Sequence, residues 1–127
     1  MARILIAEDE VTLRGQIARA LAADGHEAVV TADGGEALET LLQEEGRFDL
    51  LLTDIKMPVM DGIALALAAA RDFPQLVILL MTGFAEQRER AVALRPLITD
   101  VLGKPFSLAE LRNGVTRAIA AGQGARA

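Results

Sequence analysis

The feature that most constrains this chain is a regular alternation: five short runs of mostly branched residues are separated by segments of helical period. The runs are RILIA (Arg3 to Ala7), EAVVT (Glu27 to Thr31), LLLT (Leu50 to Thr53), VILLM (Val77 to Met81) and DVL (Asp100 to Leu102), each too short for a helix. Between them, Leu13, Ile17, Ala20 and Leu21 share one helical face, Ala37, Leu38, Leu41 and Leu42 a second, and Leu108, Leu111, Val115 and Ile119 a third. Two more helices are expected over 62–73, closed by Pro74, and over 85–94, closed by Pro96; the second has only a narrow apolar face. Gly25 and Gly46 stand where the first two helices should stop, and Ser107 with Glu110 makes a capping box for the last. One domain is expected over 1–121, with 122–127 as a short flexible tail.

Strict β-α alternation with short connections requires parallel strands, and right-handed crossovers place helices on both faces of the sheet. The expected fold class is therefore α/β, a flavodoxin-like, doubly wound (βα)5 three-layer sandwich with strand order 2-1-3-4-5. Aromatic residues are only 3% of the 127, so the core must come from Leu, Ile, Val and Ala, as suits a sheet under alanine-rich helices.

Composition also excludes function classes. A net charge of −5, with no cluster of Lys and Arg among aromatics, argues against direct binding of nucleic acid. No apolar stretch approaches the ~20 residues of a membrane span, and MARILIAED reaches acids too early for a signal peptide. With no cysteine, disulfides and thiolate metal sites are ruled out, and a cytoplasmic protein without membrane association is expected.

In an open α/β sheet, ligands bind beyond the carboxyl ends of the strands, where strand order reverses. Those ends carry Glu8, Asp9 and Glu10 after the first strand, Asp54 after the third, Thr82 and Gly83 after the fourth, and Lys104 and Pro105 after the fifth. The expected order makes the first and third strands neighbours and brings Glu8, Asp9 and Asp54 together. Three such carboxylates either take up protons or hold a hard cation, and Mg2+ suits them because it leaves room for a phosphate oxygen. Asp54 could then accept a phosphoryl group as an acyl phosphate, with Lys104 and Thr82 stabilising the phosphoryl oxygens.

Through ILIAEDE, DLLLTDIKMPVMDG, MTGF and GKPFSLAEL the chain resembles, over nearly its whole length, the response-regulator receiver (CheY-like) domains of bacterial two-component signalling. The resemblance implies that Asp54 is the phosphoacceptor and that Mg2+ is held by Asp9, Asp54 and the backbone carbonyl of Lys56, with Glu8 reaching it through water. It implies that Thr82 turns toward the phosphoryl group, that Lys104 pairs with it, and that the Lys104–Pro105 bond is cis. The implied donor is a phosphohistidine on a sensor histidine kinase or a histidine phosphotransfer protein. A monomer or weak dimer acting on a downstream protein is expected.

Two positions depart from the commonest pattern of that family. Glu8 replaces a more frequent aspartate, and Val101 stands where many receivers carry an aromatic switch residue. Output coupling is therefore expected through other packing, with Phe84 and Phe106 as candidates. The chain carries no output domain, as in stand-alone receivers. Its segments look most like CpdR-type cell-cycle regulators, which implies control of substrate delivery to a ClpXP protease; a receiver cut from a longer regulator or hybrid kinase is the alternative.

Other motifs read more simply. MPVMDG (57–62) is a turn leading into a helix, and His26 is a turn residue at the opposite end of the sheet. Arg88, Arg90 and Arg95, with Glu86 and Glu89, form a solvated face or a partner surface. An aspartate-nucleophile phosphohydrolase would carry a second acid at position 56, which is Lys, and an FMN carrier would need a Ser/Thr/Gly-rich loop where AEDEVTLRG stands.

Overall fold

The computed structural model describes residues 1–83 and 85–126, apart from the side chains of 85, 86 and 123–126. Strands β1 (Arg3–Ala7), β2 (Glu27–Thr31), β3 (Leu50–Asp54), β4 (Val77–Thr82) and β5 (Asp100–Gly103) alternate with helices α1 (Val11–Ala23), α2 (Gly34–Gln43), α3 (Gly62–Asp72), α4 (Ala85–Val92) and α5 (Leu108–Arg126). The sheet is parallel in the order β2-β1-β3-β4-β5, as the alternation requires. Left-handed glycines follow α1 and α2, at Gly25 (φ 88°) and Gly46 (φ 68°), where helices commonly turn out of their axis.

Side-chain alternation along the three inner strands divides the core into two layers. Leu5, Leu51, Ile78 and Leu80 face Leu41 of α2 and Leu65 of α3, whereas Ile4, Ile6, Leu50, Leu52 and Leu79 face Ile17 and Leu21 of α1 and Leu111 and Val115 of α5. Each of these residues is at most 1% exposed, and burying one such side chain stabilises by about 1.5–3 kcal/mol. Strand β3 is buried along all five residues, which explains the unbroken leucine run. The register Ile6↔Leu52 and Leu52↔Leu79 fixes the length at which Asp54 emerges.

Beneath the sheet, at its amino end, Arg3 bonds Glu27, Glu44 (2.5 Å) and the carbonyl of Arg47 (2.8 Å), and its guanidinium lies 4.3 Å from the centre of the Phe48 ring. The bonds to Glu44 and Glu27 raise its pKa further.

Two elements differ from expectation. Helix α5 continues through Arg126, beyond the boundary expected at 121; Ala127 lies outside the described residues. The run is alanine-rich, and at Gly122 a Cβ would fall 2.1 Å from Val77 Cγ2, so that glycine serves a close helix-sheet approach and not a break. Helix α4 ends at Val92, two residues early, because it has little to bury; among its described residues only Ala91 is enclosed.

Candidate functional site

Strands β1, β3, β4 and β5 deliver their carboxyl-end residues to one edge. Glu8 follows β1 and is wholly buried, Asp9 is exposed, and Asp54 closes β3 with 7% of its surface exposed. One carboxylate oxygen from each of Glu8, Asp9 and Asp54 lies within 4.8 Å of the others. Lys104 beyond β5 joins them: its Nζ donates to Glu8 Oε1 at 2.9 Å and to Asp54 Oδ2 at 3.0 Å. Residues from four positions, up to 96 apart in sequence, therefore form one charged cluster.

Backbone donors hold the carboxylates in place. Glu8 Oε2 accepts the Glu10 N–H at 3.0 Å, and Asp54 Oδ1 accepts the Ile55 N–H at 2.9 Å. Burial pushes the Glu8 carboxyl above the ordinary carboxylate range, against the Glu10 amide and the Lys104 ammonium, which favour its ionised form. Burial alone would lower Lys104, but its bonds to Glu8 and Asp54 outweigh that, and its pKa ends above the usual lysine value. Lys104 is thus held as a cation between two acids.

The loop after Asp54 turns sharply back onto the strand. The Gly62 N–H donates to the Ile55 carbonyl at 2.7 Å, and a Cβ on Gly62 would fall 2.0 Å from the Asp54 carbonyl oxygen, so no other residue fits there. Asp61 caps α3 by accepting the Ala64 N–H at 2.8 Å. Val59, at the crest of this loop, is 85% exposed and adopts φ 70°, a region that suits glycine or asparagine better than a β-branched residue. MPVMDG is structural, as its composition suggests.

The remaining predicted residues lie around this centre. Thr82 ends β4, 3% exposed, and its hydroxyl donates to Gln87 Oε1 of α4 at 3.2 Å. Lys56 stands in the bend just after β3 with an exposed side chain. The Lys104–Pro105 peptide is cis, as the resemblance implies. Gly83, Lys104, Pro105, Phe106 and Leu13 line a cleft of about 400 Å3 beside the charged cluster. Val101 is half-buried against the core layer under α2 and α3, and Phe106 packs on the opposite layer. Phe84 lies outside the described residues. His26 is at the far end of the sheet, where its Nδ1 accepts the Ala2 N–H at 3.0 Å.

Two residues, Arg14 and Gln87, and the capping role of Glu10 escaped sequence reasoning. Glu10 caps α1 by accepting the Thr12 and Leu13 N–H groups, and the Leu13 bond holds its carboxyl below the ordinary range. Arg14 donates to the Glu8 carbonyl at 3.0 Å. Gln87 holds Thr82, and nothing in a glutamine five residues downstream signals that contact.

Comparison with known proteins shows the family of this chain. The family model for the response regulator receiver domain matches residues 4–116. The receiver protein CpdR of Brucella abortus is 40% identical over 121 residues, covering 95% of this chain and 99% of that protein. The response regulator FleR of Pseudomonas aeruginosa is 34% identical over 91% of this chain but only 24% of its own length. Among solved structures, the response regulator TrrA of Thermotoga maritima in complex with Mg2+-BeF aligns with a TM-score of 0.82 at 27% identity, over 93% of this chain and 99% of that one.

Proposed function

Because this chain belongs to the response regulator receiver family, we propose that it is a phosphorylation-controlled switch whose acceptor is Asp54. The observation that carries this reading is the convergence of Asp54 with Glu8, Asp9 and Lys104 at one sheet edge. The family consists of signalling switches whose receivers bind Mg2+ at an acidic pocket. In this chain the donor set is all oxygen, which fits that hard cation. Asp9, Asp54 and the Lys56 carbonyl would hold it directly and Glu8 through water. When bound, it would offset the negative charge that gathers among these acids.

An Asp54 carboxylate oxygen attacks the phosphorus of a phosphohistidine on a sensor histidine kinase or histidine phosphotransfer protein. The new O–P bond forms as the N–P bond breaks, and the imidazole leaves with the electron pair. Lys104, already at Asp54 Oδ2, stabilises the charge on the phosphoryl oxygens, and the Thr82 hydroxyl donates to one of them. The acyl phosphate then biases two conformations, of which a protein partner prefers one.

Intact mass after incubation with acetyl phosphate and Mg2+ tests the assignment: one phosphoryl group should add to the wild type and none to Asp54→Asn. Labelling that survives the substitution would overturn it. The output we propose, control of substrate delivery to a ClpXP protease, is the one implied by the resemblance to CpdR-type regulators, and the match over 99% of the receiver protein CpdR supports that subgroup. Capture of the protease or its adaptors that depends on the phosphorylation state of Asp54 would support that output, and equal capture of both states would sink it.

A further inference from the structure

Helix α4 is tied to the sheet edge more by polar contacts than by burial. Of its described residues only Ala91 is enclosed, and Val92 is 43% exposed. Two side chains one turn apart reach back to the site: Gln87 accepts the Thr82 hydroxyl at 3.2 Å, and Arg90 Nη2 lies 3.8 Å from Asp61 Oδ2, beside the cap of α3. Gln87 is half-buried and Thr82 is 3% exposed, so their bond is shielded from competing water. Val101, where an aromatic could report the movement of Thr82, has no polar group and packs into the core layer under α2 and α3.

We infer that Gln87 is the latch through which the phosphorylation state of Asp54 reaches α4. A threonine hydroxyl has a single proton to donate. With Asp54 unmodified, that proton goes to Gln87 Oε1 and holds the first turns of α4 against β4. When it is donated to a phosphoryl oxygen on Asp54, Gln87 loses it, and among the described residues of α4 the buried Ala91 and the longer Arg90–Asp61 pair remain as anchors. While Thr82 donates its proton to Gln87 Oε1 it cannot donate it to a phosphoryl oxygen, so this contact links the state of α4 and the state of Asp54 in both directions. Gln87 is a positioning residue in this scheme, acting through Thr82, and the scheme rests on the reading of Asp54 as phosphoacceptor.

Two measurements on the full chain test it. The first needs no phosphoryl group: amide hydrogen exchange of residues 88–92 in the wild type, Gln87→Ala, Thr82→Val and the double variant. Each single change should speed exchange about 2- to 10-fold, the range one net hydrogen bond commands, and the double variant should match the singles. Additive effects, or none, would overturn the latch. The second is affinity for fluoroberyllate with Mg2+. Gln87→Ala should bind this phosphoryl analogue about 2- to 10-fold more tightly than the wild type, because the competing bond is gone. A helix merely loosened by the substitution would leave the affinity unchanged, and unchanged or weaker binding would overturn the inference. Wild-type protein that binds no fluoroberyllate would instead overturn the phosphoacceptor reading and leave the latch without its trigger, whatever the exchange data give.

Discussion

Glu8 is wholly enclosed, and the charge that reaches it is the Lys104 ammonium, 2.9 Å from its Oε1. The same ammonium serves Asp54, so one cation is shared between two of the three clustered acids.

Removing that cation should therefore cost more than losing a surface pair. Lys104→Met leaves two acids facing each other with little solvent, and a loss of about 1–3 kcal/mol is expected for the metal-free protein, below the full value of a buried pair because Lys104 keeps some exposure. Urea unfolding in EDTA measures it. Adding Glu8→Gln should recover part of the loss; a Lys104→Met protein as stable as the wild type would show that the contact carries no weight.

The Glu8 carboxyl sits above its ordinary pKa because of burial, so the folded chain binds that proton more readily than the unfolded chain. Its ionised form therefore opposes folding at neutral pH. As pH falls through the raised value toward the ordinary carboxylate range, the metal-free wild type should gain stability relative to Glu8→Gln, and below that range the difference should level off. Urea midpoints of both proteins across pH 4–8 give the comparison, in which most other titrations cancel. Parallel curves would contradict the burial argument.

Val59 holds a left-handed φ of 70° while 85% exposed, so it bears backbone strain with little burial in return. Val59→Asn should stabilise the chain by about 1 kcal/mol, since asparagine tolerates this region where a β-branched residue does not. Val59→Gly should gain less, because glycine also enlarges the unfolded ensemble. Equilibrium unfolding decides it, and a less stable asparagine variant would refute the strain.

Gly62 has the opposite character. A Cβ there meets the Asp54 carbonyl oxygen at 2.0 Å, a backbone atom at the end of β3. Gly62→Ala should cost about 3 kcal/mol or more and should also weaken fluoroberyllate binding, because the strand end must move to admit the methyl group. A stable alanine variant with unchanged binding would mean that the loop yields without disturbing the site.

The sequence made the sheet and its charged edge legible for a physical reason. Strands buried on both faces need consecutive apolar residues, so Leu50, Leu51 and Leu52 mark the centre, and the polar residues that interrupt such runs mark the strand ends. Glu8, Asp9, Asp54 and Lys104 were visible by that rule. Gln87, Arg14 and the capping role of Glu10 were not, because a polar residue on an exposed helix start looks the same whether it faces solvent or a neighbouring group. The extent of α5 beyond 121 was not legible, because nothing in the sequence shows that Gly122 lies in close approach to Val77.

The enclosure of β3 has a consequence for whatever delivers the phosphoryl group. Strand β3 is paired with β1 through Thr53 and with β4 through Asp54, and Asp54 is only 7% exposed, so the end of the strand has little freedom to rise toward a visitor. If Asp54 is the phosphoacceptor as proposed, the burden of mobility falls on the donor. A histidine standing proud of a convex surface would then reach it more readily than one recessed in a cleft of its own protein.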